Sequence, residues 1–335
     1  MTQLYCTADE LIADLQLQRG VADTDQLLHA IRKASDFLAR QIGLFTYVIE
    51  QRTFDGSGAH ALHIDPLLSL TAFDNDGSAV LAADLTLYPL SKHWQDGCYS
   101  KIAAAYASGI VFSAEPASLK ITGKWGMTYS TLVLTQVKTL QSDSSTTLVV
   151  KDGSAVSVGS VLEIGTELEA VLAVGDAVAA TSTLSADIDT DDEQLTVTTG
   201  SEFSAGEVIR IGVEDIRLDR RNSNVWAVQR GWNSTLIAAH TSGAAISVLR
   251  SFTVQRGLNG TTAAAHAADA VVYKLQIPGD VHALARQIAA LEFKIASTGF
   301  SGREGGGELG EVNYYHEYPQ TAIKLVKANY RIVRI

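Results

Sequence analysis

A chain of 335 residues is too long for one small domain and fits two or three. With 46% hydrophobic and 19% charged residues, it is globular and not disordered. A formal net charge of −11 excludes a sequence-reading DNA binder, which needs a basic stripe, but suits an acidic wall that DNA slides past without sticking.

The chain ends read as helix and the middle as strand. The opening MTQLYCTADE has no basic or apolar targeting pattern, and no run of 18 apolar residues occurs, so the expectation is a soluble, cytoplasmically made protein. Thr7-x-x-Glu10 is a capping box, and Leu11, Ile12 and Leu15 follow on one face of a short helix. Asp23 or Thr24 caps a second helix with Leu27, Leu28, Ile31, Ala34, Leu38 and Ile42 as its stripe and Gly43 as its stop. From Phe45 to about Met127, short β-type runs alternate with the turn signals Asp55-Gly56, Asp74-Asn75-Asp76-Gly77 and Asp96-Gly97. Pro278 opens a third helix carrying Val281, Leu284, Ala285, Ile288, Leu291 and Ile295. After the glycine-rich stretch Gly299–Gly310, Pro319 opens a fourth with Ile323, Val326 and Tyr330 at helical spacing.

Between these parts, Thr131 to Gln276 is proline-free, rich in Thr, Ser, Val and Gly, and repetitive. Leu148–Glu167 matches Leu195–Glu214 at 10 of 20 positions without gaps, and Trp226–Leu249 matches Phe252–Leu275 at 11 of 24. Chance gives about one or two identities over such a stretch. The order is first half, first half, second half, second half. Tandem duplication would alternate the halves, and crossed pairing would thread connections past one another. The expectation is therefore nesting: an inner module (about 180–249) inside a loop of an outer one (about 134–173 and 250–276).

Candidate chemistry is sparse. His60-x-x-His63 is the only close pair among eight histidines, and on a strand the two would face opposite ways. Cys6 and Cys98 form no CxxC pair and read as reduced, buried thiols. His240 and His266 each follow a VQRG-x-N-x-T turn. The ligand-site reading of that recurrence is weaker than the structural one, in which Asn233 or Asn259 takes the left-handed bend and the His, Thr or Arg of the motif, with Arg230, His240, Arg256 and His266 among them, satisfies backbone groups. Asp187–Glu193 lacks the glycine and closing glutamate of a calcium loop and reads as a solvated hairpin end. Asn233-Ser-Thr235 and Asn259-Gly-Thr261 match the glycosylation sequon by coincidence. Gly299–Gly310 has no Gly-Lys-Ser/Thr and so cradles no phosphate, and neither GxSxG nor HExxH occurs. The expectation is a non-enzymatic protein with no catalytic residue, metal or cofactor.

Three blocks nevertheless carry a resemblance. They are ADELIADLQLQRGVADTDQLLHAIRKASDFLARQIG at the front, IDPLLSLTAFDNDG with a segment around Trp94, and IPGDVHALARQIAALEFKIASTGFSGRE followed by GELGEVNYY and YPQTAIKLVKANYRI, ending in Tyr330-Arg331. Their order over residues 1–130 and 277–335 resembles the head–tail connector (adaptor, head-completion) family of tailed bacteriophages. The resemblance implies a small helical bundle with a β-hairpin arm; the all-β insert 131–276 departs from the family pattern, whose members are far shorter, and makes the expected fold α+β with two nested β-modules inserted. The resemblance also implies a dodecameric ring in the neck of the virion, partnered by the portal protein and a neck or tail protein, with DNA passing through and no membrane. The apolar-basic tail Arg331, Ile332, Val333, Arg334 and Ile335, with Tyr330, is the expected portal-docking segment. The alternatives are a fibre, collar or baseplate component binding a host receptor or glycan, and a cell-wall hydrolase. Against the fibre stands the helical frame bracketing the β insert.

Overall fold

Local chemistry sets the helices at both ends of the chain. In the computed structural model, which describes residues 3–20, 22–90, 97–128, 130–297, 303–304, 312–313 and 318–330, Thr7 and Glu10 form a capping box at the start of α1 (Ala8–Leu15). Asp23 caps α2 (Thr24–Gln41) by accepting from the Asp25 and Gln26 amides. α2 buries Leu27, Leu28, Ile31, Ala34 and Leu38, and α3 (Gly279–Ser297) buries Val281, Leu284, Ala285, Ile288 and Ile295. α4 (Gln320–Asn329) contributes Ile323 and Val326. The segment around Trp94, most of 299–310 and the tail 331–335 lie outside the described residues.

Apart from a two-stranded pair, Arg303–Glu304 with Val312–Asn313, the strands form three six-stranded antiparallel sheets, so the fold is mixed α+β. The first holds β1 (Val48–Phe54), β2 (Ala61–Asn75), β3 (Ser78–Val80), β4 (Leu85–Tyr88), β5 (Tyr99–Ala104) and β6 (Leu119–Trp125), ordered β1-β6-β2-β5-β4 with β3 on β2. It encloses its own core of Ile64, Leu67, Phe73, Ile102, Phe112, Leu119, Ile121 and Trp125. This region is thus a complete sheet and not the hairpin arm expected of it. β6 lies between β1 and β2, long-range pairings that no local turn signal announces.

The other two six-stranded sheets are built from β7 (Thr131–Gln136), β8 (Thr147–Val149), β9 (Val161–Ile164), β10 (Glu167–Val174), β11 (Val178–Thr183), β12 (Gln194–Thr196), β13 (Val208–Ile211), β14 (Glu214–Asn222), β15 (Val225–Trp232), β16 (Ala245–Val248), β17 (Ser251–Gln255) and β18 (Val271–Leu275). One sheet is ordered β7-β18-β9-β10-β17-β8, the other β11-β16-β13-β14-β15-β12. Matched by the sequence repeat, the two orders are the same. Each sheet closes on itself where its first strand meets its last: Lys138 N donates to Val149 O (2.7 Å) and Lys151 N to Gln136 O (2.8 Å), as Ser185 N does to Thr196 O (2.8 Å) and Thr198 N to Thr183 O (2.9 Å). Closure into small barrels leaves few free edges for unwanted pairing. The barrel of β11–β16 has a separate core around Ile209, Ile216, Leu218 and Trp226.

The other barrel does not stand apart from the helices. Val137, Leu148, Val161, Leu162, Val171 and Phe252 share one continuous core with Leu11, Ile31, Leu38, Leu284 and Ile288. Full burial of each such side chain contributes about 1.5–3 kcal/mol, so neither side is expected to keep its fold when the other is removed.

Candidate functional site

The repeated turns contain the most concentrated polar chemistry among the described residues. Glu167 opens β10 and Glu214 opens β14, and both are fully buried. Arg256 donates Nε and Nη2 to Glu167 at 2.8 and 2.7 Å, and Arg230 donates the same pair to Glu214 at 2.8 and 2.8 Å. Glu167 also accepts from the Gly257 and Ala264 amides, both at 2.9 Å, and Glu214 from the Gly231 and Ala238 amides at 3.1 and 3.2 Å. Nε2 of His266 sits 2.9 Å from Glu167, and Nε2 of His240 sits 2.8 Å from Glu214. Each arginine turns Nη1 to two carbonyls of a neighbouring loop: Ser142 and Ser145 for Arg256, Asp189 and Asp192 for Arg230. One guanidinium thereby fastens a hairpin, the VQRG turn and a third loop at one end of each barrel.

This saturation governs the electrostatics. Burial pushes Glu167 upward, but hydrogen bonds from Arg256, the Ala264 and Gly257 amides and His266 outweigh it and hold the carboxyl at about 2. Glu214 is held at about 2 against burial by Arg230, His240 and the Ala238 and Gly231 amides.

The turns carry a second matched layer. Asn233 and Asn259 adopt left-handed backbone at φ 55° and 53°. Thr235 Oγ1 accepts from Asp215 N at 2.9 Å and donates to Trp232 O at 2.8 Å. Thr261 Oγ1 accepts from Leu168 N at 3.0 Å and donates to Leu258 O at 2.8 Å.

Both turns dock on another part of the chain. Gly260 approaches β1 so closely that a β-carbon there would lie 2.1 Å from the Ile49 carbonyl oxygen, and Leu258 enters the shared core. In the other barrel the Asn233 carbonyl lies where a β-carbon on Gly20 would be, Ser234 Oγ donates to the Arg19 carbonyl, and Trp232 is flanked by the Arg19 and Arg217 guanidiniums at 4.8 and 5.0 Å from its ring centre. The repeated element is a rigid knob fitted to a neighbouring backbone.

The clusters differ at one position. Glu169 is fully buried where the repeat places Ile216. Its Oε1 lies 2.8 Å from Arg256 Nε, but that proton is directed at Glu167, so Oε1 receives no hydrogen bond. Burial first, with Glu167 adding to it against the pull of Arg256, pushes the Glu169 carboxyl up to about 7. Glu167, Glu169 and His266 offer atoms within 4.8 Å of one another, a spacing that could hold a metal ion. The donors do not fit one: five contacts from four residues already fill Glu167, and the Arg256 guanidinium lies where a cation would bind. Residue-type reading passed over Glu169 because Leu148–Glu167, the aligned stretch, stops two residues short of it.

A cleft of about 1050 Å³ lies between the start of the chain, α3 and β18, lined by Tyr5, Cys6, Glu10, Leu132, His282 and Tyr330. His282 Nε2 is 3.0 Å from Glu10, which its hydrogen bonds with His282 and Thr7 hold at about 2 against burial. Burial, reinforced by Glu10, pushes the Cys6 thiol far up, so it is no thiolate nucleophile. His60 and His63 are exposed, and His60 Nδ1 lies 2.8 Å from the Ile110 carbonyl. Tyr330, expected to dock a partner, donates its hydroxyl to Asp280 (2.7 Å) and packs edge-on against Phe45. Its side chain serves the chain's own fold, while Arg331, Ile332, Val333, Arg334 and Ile335 lie outside the described residues.

No family model, curated protein or solved structure matches the chain. What fold and site define is a class: an α+β protein with four helices and three six-stranded antiparallel sheets among the described residues, two of the sheets built on one repeat. No helix there is long and apolar enough to cross a membrane.

Proposed function

We propose that the chain is a structural virion protein, a ring-forming head–tail connector between portal and tail through which DNA passes. Its architecture is then a helical frame, carrying the first sheet, with two nested β-modules inserted: β11–β16 as the inner one and the remaining barrel strands as the outer one. The observation that carries the reading is that the strongest polar chemistry in the barrels is consumed internally. Glu167 and Glu214, each bonded to an arginine, a histidine and two backbone amides, fix shape and leave a substrate no free acceptor, and the one unbonded oxygen nearby, Glu169 Oε1, is sealed from solvent. The family resemblance of the two ends and the net charge of −11, which repels a passing phosphate backbone, support the same role.

The test is binding to the portal protein of the same phage. Immobilised portal should retain the full-length chain, and deletion of residues 331–335 should abolish retention with the thermal melt nearly unchanged. Retention that survives the deletion moves docking elsewhere on the chain. A full-length chain that portal never retains overturns the connector reading.

A further inference from the structure

The end of the inner barrel held by Arg230 presents side chains that the outer barrel lacks at the same place. Val213 in the β13–β14 turn is 77% exposed, and Leu236 and Ile237, just past the docked turn, are 83% and 46% exposed. The repeat places Thr166, Thr262 and Ala263 at these positions. Arg230 joins the group to the acidic segment 187–193 through the Asp189 and Asp192 carbonyls, and through the Ala238 carbonyl to the loop that carries Leu236 and Ile237. Within that segment Asp187, Asp189, Asp191, Asp192 and Glu193 are all exposed. The result is an apolar tip with an acidic rim.

Its complement is α4. Ile323 and Val326 face the core, while Lys324, Leu325 and Lys327 face outward, with Leu325 at 66% exposure. Apolar surface at the centre and opposite charge at the rim is the pattern of a specific interface. Tip and α4 are both exposed in the single chain, so neither covers the other. They also lie on different sides of the helical layer. α1 packs on α3 through Glu10–His282 and Asp14–Arg286, while the ends of α4 meet α3 through Tyr318–Glu292 and Tyr330–Asp280. Beyond α1 lies the inner barrel, with Trp232 on Arg19.

We propose that the acidic-apolar tip of the inner barrel docks on the outward face of α4 of a second copy of this chain. The contact is heterologous, with different surfaces meeting, and repetition of it closes a ring or extends a filament. It rests on the multi-copy reading proposed above and names a contact within it. Opposite rim charges make it salt-sensitive.

The test uses the full chain and two double variants at exposed positions, Leu236→Asp with Ile237→Asp, and Lys324→Glu with Lys327→Glu. Sedimentation velocity should show concentration-dependent association of the wild type, weaker at high salt. Each variant alone should associate about tenfold or more weakly. Mixed, the two should form a one-to-one dimer that grows no further, because one intact tip then meets one intact α4. A wild type that stays monomeric at its highest soluble concentration, variants that associate like it, or a mixture that does not dimerise overturns the contact. Portal retention of both variants together with any of these results removes the contact and leaves the connector reading standing; loss of portal retention by the wild type is that reading's own failure.

Discussion

Glu169 and Ile216 occupy equivalent positions in two barrels otherwise held by the same buried network, so the protein contains its own control for one carboxylate. With its carboxyl raised from an ordinary 4.5 to about 7, Glu169 binds a proton more tightly folded than unfolded. The folded state is therefore favoured at mildly acidic pH, and stability falls as pH rises from about 4.5 through about 7. At full deprotonation the loss is on the order of 3 kcal/mol. Glu167 and Glu214, held at about 2, act oppositely: their contribution is present above about 4.5 and is lost as pH falls toward about 2. Thermal melting should accordingly peak near pH 5. Glu169→Gln or Glu169→Ile should raise the melting temperature at pH 8 and change it little at pH 5. An equal gain at both values means that Glu169 is already neutral at pH 8. Truncating Arg256 or Arg230 to Met should cost about 3–5 kcal/mol in denaturant titration, because each leaves a buried carboxylate without its charge partner.

At the scale of elements, the knobs depend on backbone approach. Gly260, at φ +81° with the Ile49 carbonyl 2.1 Å from a built β-carbon, tolerates no side chain. Gly260→Ala should lose at least about 1 kcal/mol by chemical denaturation, where Gly165→Ala, also at positive φ but with open space around it, loses only the backbone term. The helix caps, the apolar stripes and the VQRG-x-N-x-T repeat were legible in the sequence because their periods and spacings are local. Less legible was the first sheet: β6 pairs with β1 and β2 across long separations, and the turn signals near Asp55 and Asp74 suggest hairpins without saying which strand lies between. The shared core was not legible at all. Periodicity says that Ile31 and Leu148 are buried, but not that they are buried against the same neighbours. An insert hanging from one loop would let a short linker replace residues 132–275 and leave the helices intact. The shared core forecasts the reverse, with loss of most helical circular dichroism in that variant. Excision of 175–249 alone, which removes the separately cored barrel, should retain it.

For the whole molecule, buried charge fixes shape, and the proposed assembly falls to exposed surface. The helical layer is thin, α4 buries only Ile323 and Val326, and the tip of the inner barrel leaves Val213 and Leu236 uncovered. Association would supply the missing burial. Native mass spectrometry of the purified full-length chain, alone at high concentration and with portal rings, decides whether the proposed ring forms. The expected result is one closed oligomer of defined stoichiometry, formed alone or on the portal. Monomers under both conditions, with the chain folded and its melt cooperative, would contradict it.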